Sequence, residues 1–188
     1  MFHDPSNFVF IKHFQQNWKE IRREVDHLDH RILDVHRIGT HEEYFTQTAH
    51  HNGWSPCWKV GSIEKNFDWL TYGLAYEGQF PDEASEKFPV TKALIAAFPG
   101  IKAAALSKMN PASLIAPHVH PELGGNLLTF HLGIDVEPRK SYLFVNGVPE
   151  QEQENKAIVF DGSVEHFAIN VANTSRTVLY IEFDRSKL

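Results

Sequence analysis

A single cysteine, Cys57, stands among 188 residues, so an internal disulfide is excluded. Long apolar runs are missing too. The longest, such as residues 177–183, are strand-sized and far short of the roughly 20 residues needed to span a bilayer. The first residues, Met1 to Pro5, have neither a basic nor a continuous apolar stretch, so no secretory signal is expected and a reducing, cytoplasmic setting fits the lone thiol. Positive charge is in deficit: 18 Lys and Arg face 24 Asp and Glu, a net charge of -6 that repels a phosphate backbone and argues against nucleic acid as a partner. Internal repeats and low-complexity tracts are absent. The bulk composition, 42% hydrophobic and 22% charged, is that of a globular protein, and the length suits a single domain over 1–188. One residue type is in excess. Twelve histidines occur, several near the centre of the chain, and they call for an explanation.

Local patterning divides the chain. Phe14, Trp18, Ile21, Val25 and Leu28 recur at helical spacing and predict an amphipathic helix, with Lys19, Glu20, Arg22, Arg23 and Glu24 on its solvated side. Residues 40–62, containing His41, His50, His51, Trp54 and Trp58, have no clean period and read as a long loop. Residues 69–74 read as a strand, residues 81–87 as a charged surface connection, and a second helix is expected from Thr91 as N-cap to Pro99-Gly100. Beyond Gly100 the texture becomes short β-type runs: 103–109, 114–117, 127–134, 142–145, 157–160, 167–171 and 177–183. They are separated by breakers such as Asn110-Pro111, Asn146-Gly147 and Asp161-Gly162. Many short strands with regular turns predict a sandwich or barrel. Helical and loop support over 1–100 and a β core from about 101 to 188 is the expected organisation. Asn146-Gly147 reads as a hairpin turn.

Two histidines sit where a barrel would place metal ligands: His118 ends one run and His166 begins another. Neutral imidazoles suit iron, copper, nickel and zinc, and two of them with a carboxylate leave open coordination positions. The pairing is ambiguous. Two residues after His118 comes His120 rather than Asp or Glu, whereas His120-Pro121-Glu122 is itself an H-x-E register, so either His118 or His120 is the first ligand and Glu122 a ligand in the second case. Arg176 heads an otherwise apolar run, on the face of Val178 and Tyr180, and is costly there unless it meets an anion: either the carboxylate of a cosubstrate, or a structural partner such as Glu182 or Asp184. His131 shares a face with Leu127, Thr129 and Gly133 and is either a site residue or a buried histidine bonded to Thr129. Loop residues Trp54, Trp58, His50 and His51 either cover the barrel mouth or pack on the N-terminal helix.

Four blocks in one order carry a resemblance: Leu106-Ser107-Lys-Met-Asn-Pro-Ala-Ser-Leu-Ile-Ala-Pro117-His118, Asn126-Leu-Leu-Thr-Phe-His131-Leu-Gly-Ile134, Phe160-Asp-Gly-Ser-Val-Glu-His166 and Ser175-Arg176-Thr-Val-Leu. Residues 104–183 thereby resemble the catalytic domain of aspartyl/asparaginyl β-hydroxylases, and looser similarity reaches back through Trp69 to residues 17–22. The resemblance implies a mainly β (α+β) fold, a double-stranded β-helix or jelly-roll barrel with flanking helices. It implies an iron(II)- and 2-oxoglutarate-dependent dioxygenase that hydroxylates an amino acid, a peptide Asp or Asn, or a related small substrate, releasing succinate and carbon dioxide. Carried onto this sequence, His118 and His166 bind iron, while Ser107, His131 and Arg176 hold 2-oxoglutarate, with Arg176 on its distal carboxylate. The family also has a member without the carboxylate ligand, as at position 120 here. Thr129 departs from an arginine often found two residues before the histidine that corresponds to His131.

Two other readings stand beside this one. His118-x-His120 with His166 resembles the histidine pattern of cupins and would form a three-histidine centre for a thiol dioxygenase or isomerase, leaving Ser107, His131 and Arg176 without a role. A barrel that binds a ligand but has lost turnover is the other. Membrane insertion is not expected, and the oligomeric state and physiological metal are not legible from the residues.

Overall fold

The computed structural model describes residues 1–35, 43, 48 and 50–188; His41 of the expected loop lies outside them. Strands β1 (Phe2–His3), β2 (Ser55–Trp58), β3 (Lys65–Tyr76), β4 (Ile101–Met109), β6 (Leu127–Asp135), β9 (Ala157–Phe160) and β11 (Arg176–Asp184) form a seven-stranded sheet in the order β1-β9-β6-β11-β4-β3-β2. Facing it is a four-stranded sheet, β5-β10-β7-β8, made of β5 (Ser113–His118), β10 (His166–Asn170), β7 (Ser141–Val145) and β8 (Val148–Gln151). Neighbouring strands in both sheets are antiparallel. The result is a jelly-roll barrel of the double-stranded β-helix kind, mainly β with flanking helices.

Side-chain alternation sorts the large sheet into two faces. In β6 and β11 the set Leu128, Phe130, Leu132, Ile134, Leu179, Ile181 and Phe183 points outward into an apolar cluster. The opposite set, Thr129, His131, Arg176 and Tyr180, points into the barrel, where the small sheet contributes Ile115, Leu143, Val145 and Ala168. Helices α1 (Val9–Gln16) and α2 (Trp18–Asp26) cover the outward face, with Phe10, Ile11, Phe14 and Ile21 buried. Phe10 meets Phe130 and Phe183 edge-on at 5.7 and 4.9 Å between ring centroids. Burying such rings is the largest favourable contribution at this layer.

Several local expectations change. The single helix expected from Phe14 to Leu28 is two helices meeting at Asn17, which adopts φ -98, ψ 11 and turns its side-chain amide onto His13 O at 2.9 Å, a local bond that competes with helix continuation. Thr91 is not an N-cap. Helix α4 (Pro89–Ala96) starts two residues earlier, with Pro in its first turn, and Thr91 lies inside it. The cap comes from α2: the Glu24 carboxylate accepts from Val90 N at 2.6 Å and from Thr91 Oγ1 at 2.6 Å. The connection at 81–87 contains a short helix, α3 (Asp82–Ser85), and the loop at 40–62 contains β2. Strands β1, β2 and β3 bring segments from the first hundred residues into the large sheet, so that part of the chain is more than helical support. Asn146 and Gly147 have φ of 50 and 73 and join β7 to β8, the left-handed pair that a tight hairpin requires. Among the described residues no helix is long and apolar enough to cross a membrane.

Candidate metal centre and the pocket beside it

His118 at the end of β5 and His166 at the start of β10 are directly paired across antiparallel strands, so sheet register alone brings these sequence-distant residues together. Their ring centroids are 4.3 Å apart, and His120 joins them at 4.9 and 5.4 Å. One nitrogen of each of the three rings lies within 4.8 Å of the others. The Nδ1 atoms of His118 and His166 each meet a backbone carbonyl, Ala116 O and Val164 O, at 2.8 Å. A neutral ring donating Nδ1–H to a carbonyl presents Nε2 as a lone pair, the form in which imidazole binds a metal. Burial keeps both rings neutral. It lowers the His118 pKa, and burial together with the neighbouring His118 lowers His166 to about 3.

Glu122 is not a member of the nitrogen cluster. Its Oε1 lies 3.1 Å from His120 Nδ1, so the H-x-E register sets a hydrogen-bond partner beside His120. The short 3-10 turn at Pro121–Leu123 carries Glu122 back over its own histidine.

A pocket of about 370 Å³, including its open mouth, adjoins the three rings and is lined also by Trp69, Ser107, His131, Arg176 and Tyr180. Ser107 Oγ accepts from Trp69 Nε1 at 3.1 Å, which leaves the hydroxyl hydrogen to be donated elsewhere. Arg176 is 1% exposed and its Nη1 has no hydrogen-bond partner among the described residues. The structural partner weighed for it, Glu182 or Asp184, is not the one found. Glu152, which no sequence pattern singled out, accepts from Arg176 Nε at 2.6 Å and from Nη2. His131 Nδ1 lies 3.2 Å from Glu152 Oε1 and is not bonded to Thr129. Tyr180, at the pocket wall, donates its hydroxyl to Glu182 Oε1 at 2.7 Å. Burial, reinforced by Glu182, raises that phenol well above its ordinary range.

Trp54 does not reach the pocket. It is buried against Tyr72, ring centroids 5.5 Å apart, with Nε1 donating to Asp29 O at 3.1 Å. His50 and His51 are exposed, and neither they nor Trp58 line the pocket. Cys57 is buried and hydrogen-bonded to Thr71, and burial pushes its thiol up to about 12, which makes it inert as a nucleophile.

The support for Glu152 comes from Gly133. A Cβ on Gly133 would lie 1.9 Å from Gln153 O, a backbone atom that cannot swing away. Helix α2 ties down the same stretch: Trp18 Nε1 donates to Gly133 O at 2.6 Å, and Arg22 donates to Ile134 O at 2.6 Å and pairs with Glu154 at 2.8 Å. Gly133→Ala is therefore expected to cost about 1–3 kcal/mol through overpacking, read as a lower urea midpoint. A wild-type midpoint would show that the crossing segment yields easily.

Acid sensitivity follows from several groups with depressed folded-state values, among them His118, His131, His166 and Glu152. His166 falls from 6.5 to about 3 and Glu152 from 4.5 to about 2. In each case the unfolded chain binds the proton first, so the stabilising contribution is complete above the ordinary value and is lost as pH falls towards the folded one. Thermal midpoints of the apo-protein are expected to drop from about pH 6.5 downward, with Glu152 adding to the fall below about 4.5. His166→Asn should flatten the upper part of that curve. An unchanged slope between pH 6 and 4.5 would refute the assignment to His166.

A family model for aspartyl/asparaginyl beta-hydroxylase matches residues 15–186. The ornithine lipid ester-linked acyl 2-hydroxylase of Rhizobium tropici is 26% identical over 183 residues, covering 96% of this chain and 59% of that protein. Uncharacterized protein L888 of Acanthamoeba polyphaga mimivirus is 25% identical over 137 residues, covering 71% of this chain and 49% of that protein. The chain thus spans between about half and three fifths of the length of these curated relatives. Among solved structures, KdgF from Halomonas sp. overlaps 72% of this chain and 89% of its own with a TM-score of 0.44 and 12% identity, too slight a likeness to bear on function. With the family match running across nearly its whole length, the chain belongs to the aspartyl/asparaginyl beta-hydroxylase family.

Proposed function

We propose that this chain is a hydroxylase that uses iron(II), 2-oxoglutarate and dioxygen to hydroxylate a C–H bond of an amino acid, a peptide Asp or Asn, or a related small substrate. The carrying observation is a buried arginine, Arg176, that lines the pocket beside the converging His118, His120 and His166 rings and whose Nη1 has no hydrogen-bond partner among the described residues. An orphaned guanidinium N–H is costly to bury, and a ligand carboxylate would satisfy it. The donor set fits iron as well, because imidazole nitrogens suit it and three of them on one side leave positions open. Family membership supports the reaction class, and a relative named as an acyl 2-hydroxylase supports it further.

In this reading His118 and His166 are metal ligands and His120 is the third, held by Glu122. Backbone carbonyls at Ala116 and Val164 fix the tautomers so that no proton has to leave these two rings before a metal binds. Arg176 and Ser107 bind the distal carboxylate of the cosubstrate, and His131 flanks it. Trp69 and Tyr180 form part of the pocket wall. Iron with 2-oxoglutarate supplies the oxidative step, with succinate and carbon dioxide as by-products.

The test is an anaerobic titration of the apo-protein with iron(II) and then 2-oxoglutarate, following the weak visible charge-transfer band. The band is expected to require His166 and to weaken in Arg176→Lys, which keeps the charge beside Glu152 but not the planar fork. The same three-histidine set is shared by one second reading, a cupin-type three-histidine metalloenzyme. That reading predicts iron binding with no band, as does a barrel that has lost turnover. Thiol-dependent oxygen consumption separates the two.

A further inference from the structure

The connection from β8 to β9 carries a carboxylate into the barrel. Glu152 is 2% exposed, and its N–H donates to Ser141 O at 3.0 Å. The carbonyl of the next residue occupies the space left by the absent Cβ of Gly133. Its side chain accepts from Arg176 Nε and Nη2 and from His131 Nδ1. Burial alone would raise this carboxyl, but the Arg176 charge and the His131 and Arg176 hydrogen bonds bring it down to about 2. It is therefore ionised and can only accept, so the hydrogen of a neutral His131 sits on Nδ1 and the pocket meets Nε2.

A guanidinium offers a carboxylate two edges: the side edge, Nε with Nη2, and the end edge, Nη1 with the second hydrogen of Nη2. Glu152 fills the side edge with two hydrogen bonds. The end edge carries Nη1, which has no hydrogen-bond partner among the described residues, and belongs to a residue that lines the pocket. A side chain as long as arginine samples many rotamers when held at one point. Held at two points by a buried carboxylate that is itself staked by Ser141 and Gly133, it presents its end edge at one distance from the three histidines.

We propose that Glu152 is a positioning residue that pins the end edge of Arg176 and so sets which length of 2-oxo dicarboxylic acid reaches from that edge to the metal. This rests on the cosubstrate reading above. The alternative role, simple neutralisation of Arg176, needs the charge nearby but no particular geometry, and it would alter affinity for all dicarboxylates alike.

The experiment measures binding of 2-oxoglutarate, the one-methylene-longer 2-oxoadipate, and oxalate to anaerobic iron(II)-loaded wild type, Glu152→Gln, Glu152→Asp and Arg176→Lys by calorimetry. Oxalate chelates the metal and has no arm, so it reports an intact metal site and fold. The wild type is expected to prefer 2-oxoglutarate. Glu152→Gln, which loses the charge, and Glu152→Asp, which keeps the charge but withdraws it by one methylene, should both lose that preference by about tenfold or more, with oxalate within about twofold of wild type. If Glu152→Asp keeps the preference, or Glu152→Gln shifts both dicarboxylates equally, Glu152 acts only as a charge and the proposal is wrong while the cosubstrate site stands. If the Glu152 variants lose oxalate as well, Glu152 is structural and the proposal is again wrong. If Arg176→Lys binds 2-oxoglutarate as wild type does, the cosubstrate reading itself fails and the proposal falls with it.

Discussion

Arg176→Ala will lower the stability of the apo-protein by about 3–5 kcal/mol, a large share of what a domain of this size holds in reserve. The reason is the state in which it leaves Glu152. That carboxylate is 2% exposed and receives its two shortest hydrogen bonds from the guanidinium, so truncation strands a buried anion with His131 Nδ1, at 3.2 Å, as its remaining side-chain partner. The pair as a whole is not worth that amount. Taking both charges out of water is expensive, so Arg176→Leu combined with Glu152→Leu is expected to recover most of the loss, and the double-mutant cycle should give a coupling above about 2 kcal/mol. Urea unfolding of Arg176→Ala and of the four proteins of the cycle, wild type, Arg176→Leu, Glu152→Leu and the double variant, decides it. A single-mutant cost under about 1 kcal/mol would mean that water reaches Glu152 and that the pair is not the buried contact described.

His166→Ala will weaken metal binding by more than about a hundredfold, since even the outer partners of metal ligands are worth ten- to a hundredfold each. His166 faces His118 across the strand pair with ring centroids 4.3 Å apart, and its ring lies 5.3 Å from that of Phe160, so truncation removes one of the three converging imidazoles. His118→Ala should behave alike, and His50→Ala, at an exposed position, should be without effect. Competition against a chromophoric chelator reads the affinities. Equal affinity in wild type and His166→Ala would remove the metal centre from the site.

Much of the barrel was legible because its signals are local. Alternation in residues 127–134 and 177–183 marks strands with one apolar face, and β6 and β11 are found there with their apolar residues outward under the helices. Asn146-Gly147 marks a hairpin because few other pairs tolerate two positive φ values. His118 and His166 were legible as strand-end histidines. Strands β1, β2 and β8 were not, being short or polar and made into strands by a neighbour's free edge. The break at Asn17 was hidden by an apolar spacing that continues through it, and the true start of α4 by a cap that comes from Glu24, far away in sequence.

Glu152 is the sharpest case. It stands in the run Pro149-Glu-Gln-Glu-Gln-Glu-Asn155, which reads as solvated, and nothing within that run distinguishes it from Glu150 or Glu154. The sequence by itself determined most of the strand segments, the jelly-roll class through its family blocks, and the candidate histidines and arginine, because periodicity, turn chemistry and residue type are carried by neighbours along the chain. Only the tertiary structure decided that Glu122 turns back onto His120 and that Glu152 enters the barrel to hold Arg176 and His131. Those contacts depend on sheet register and on a backbone crossing that Gly133 alone leaves room for, and neither is encoded within a few residues of the groups that meet.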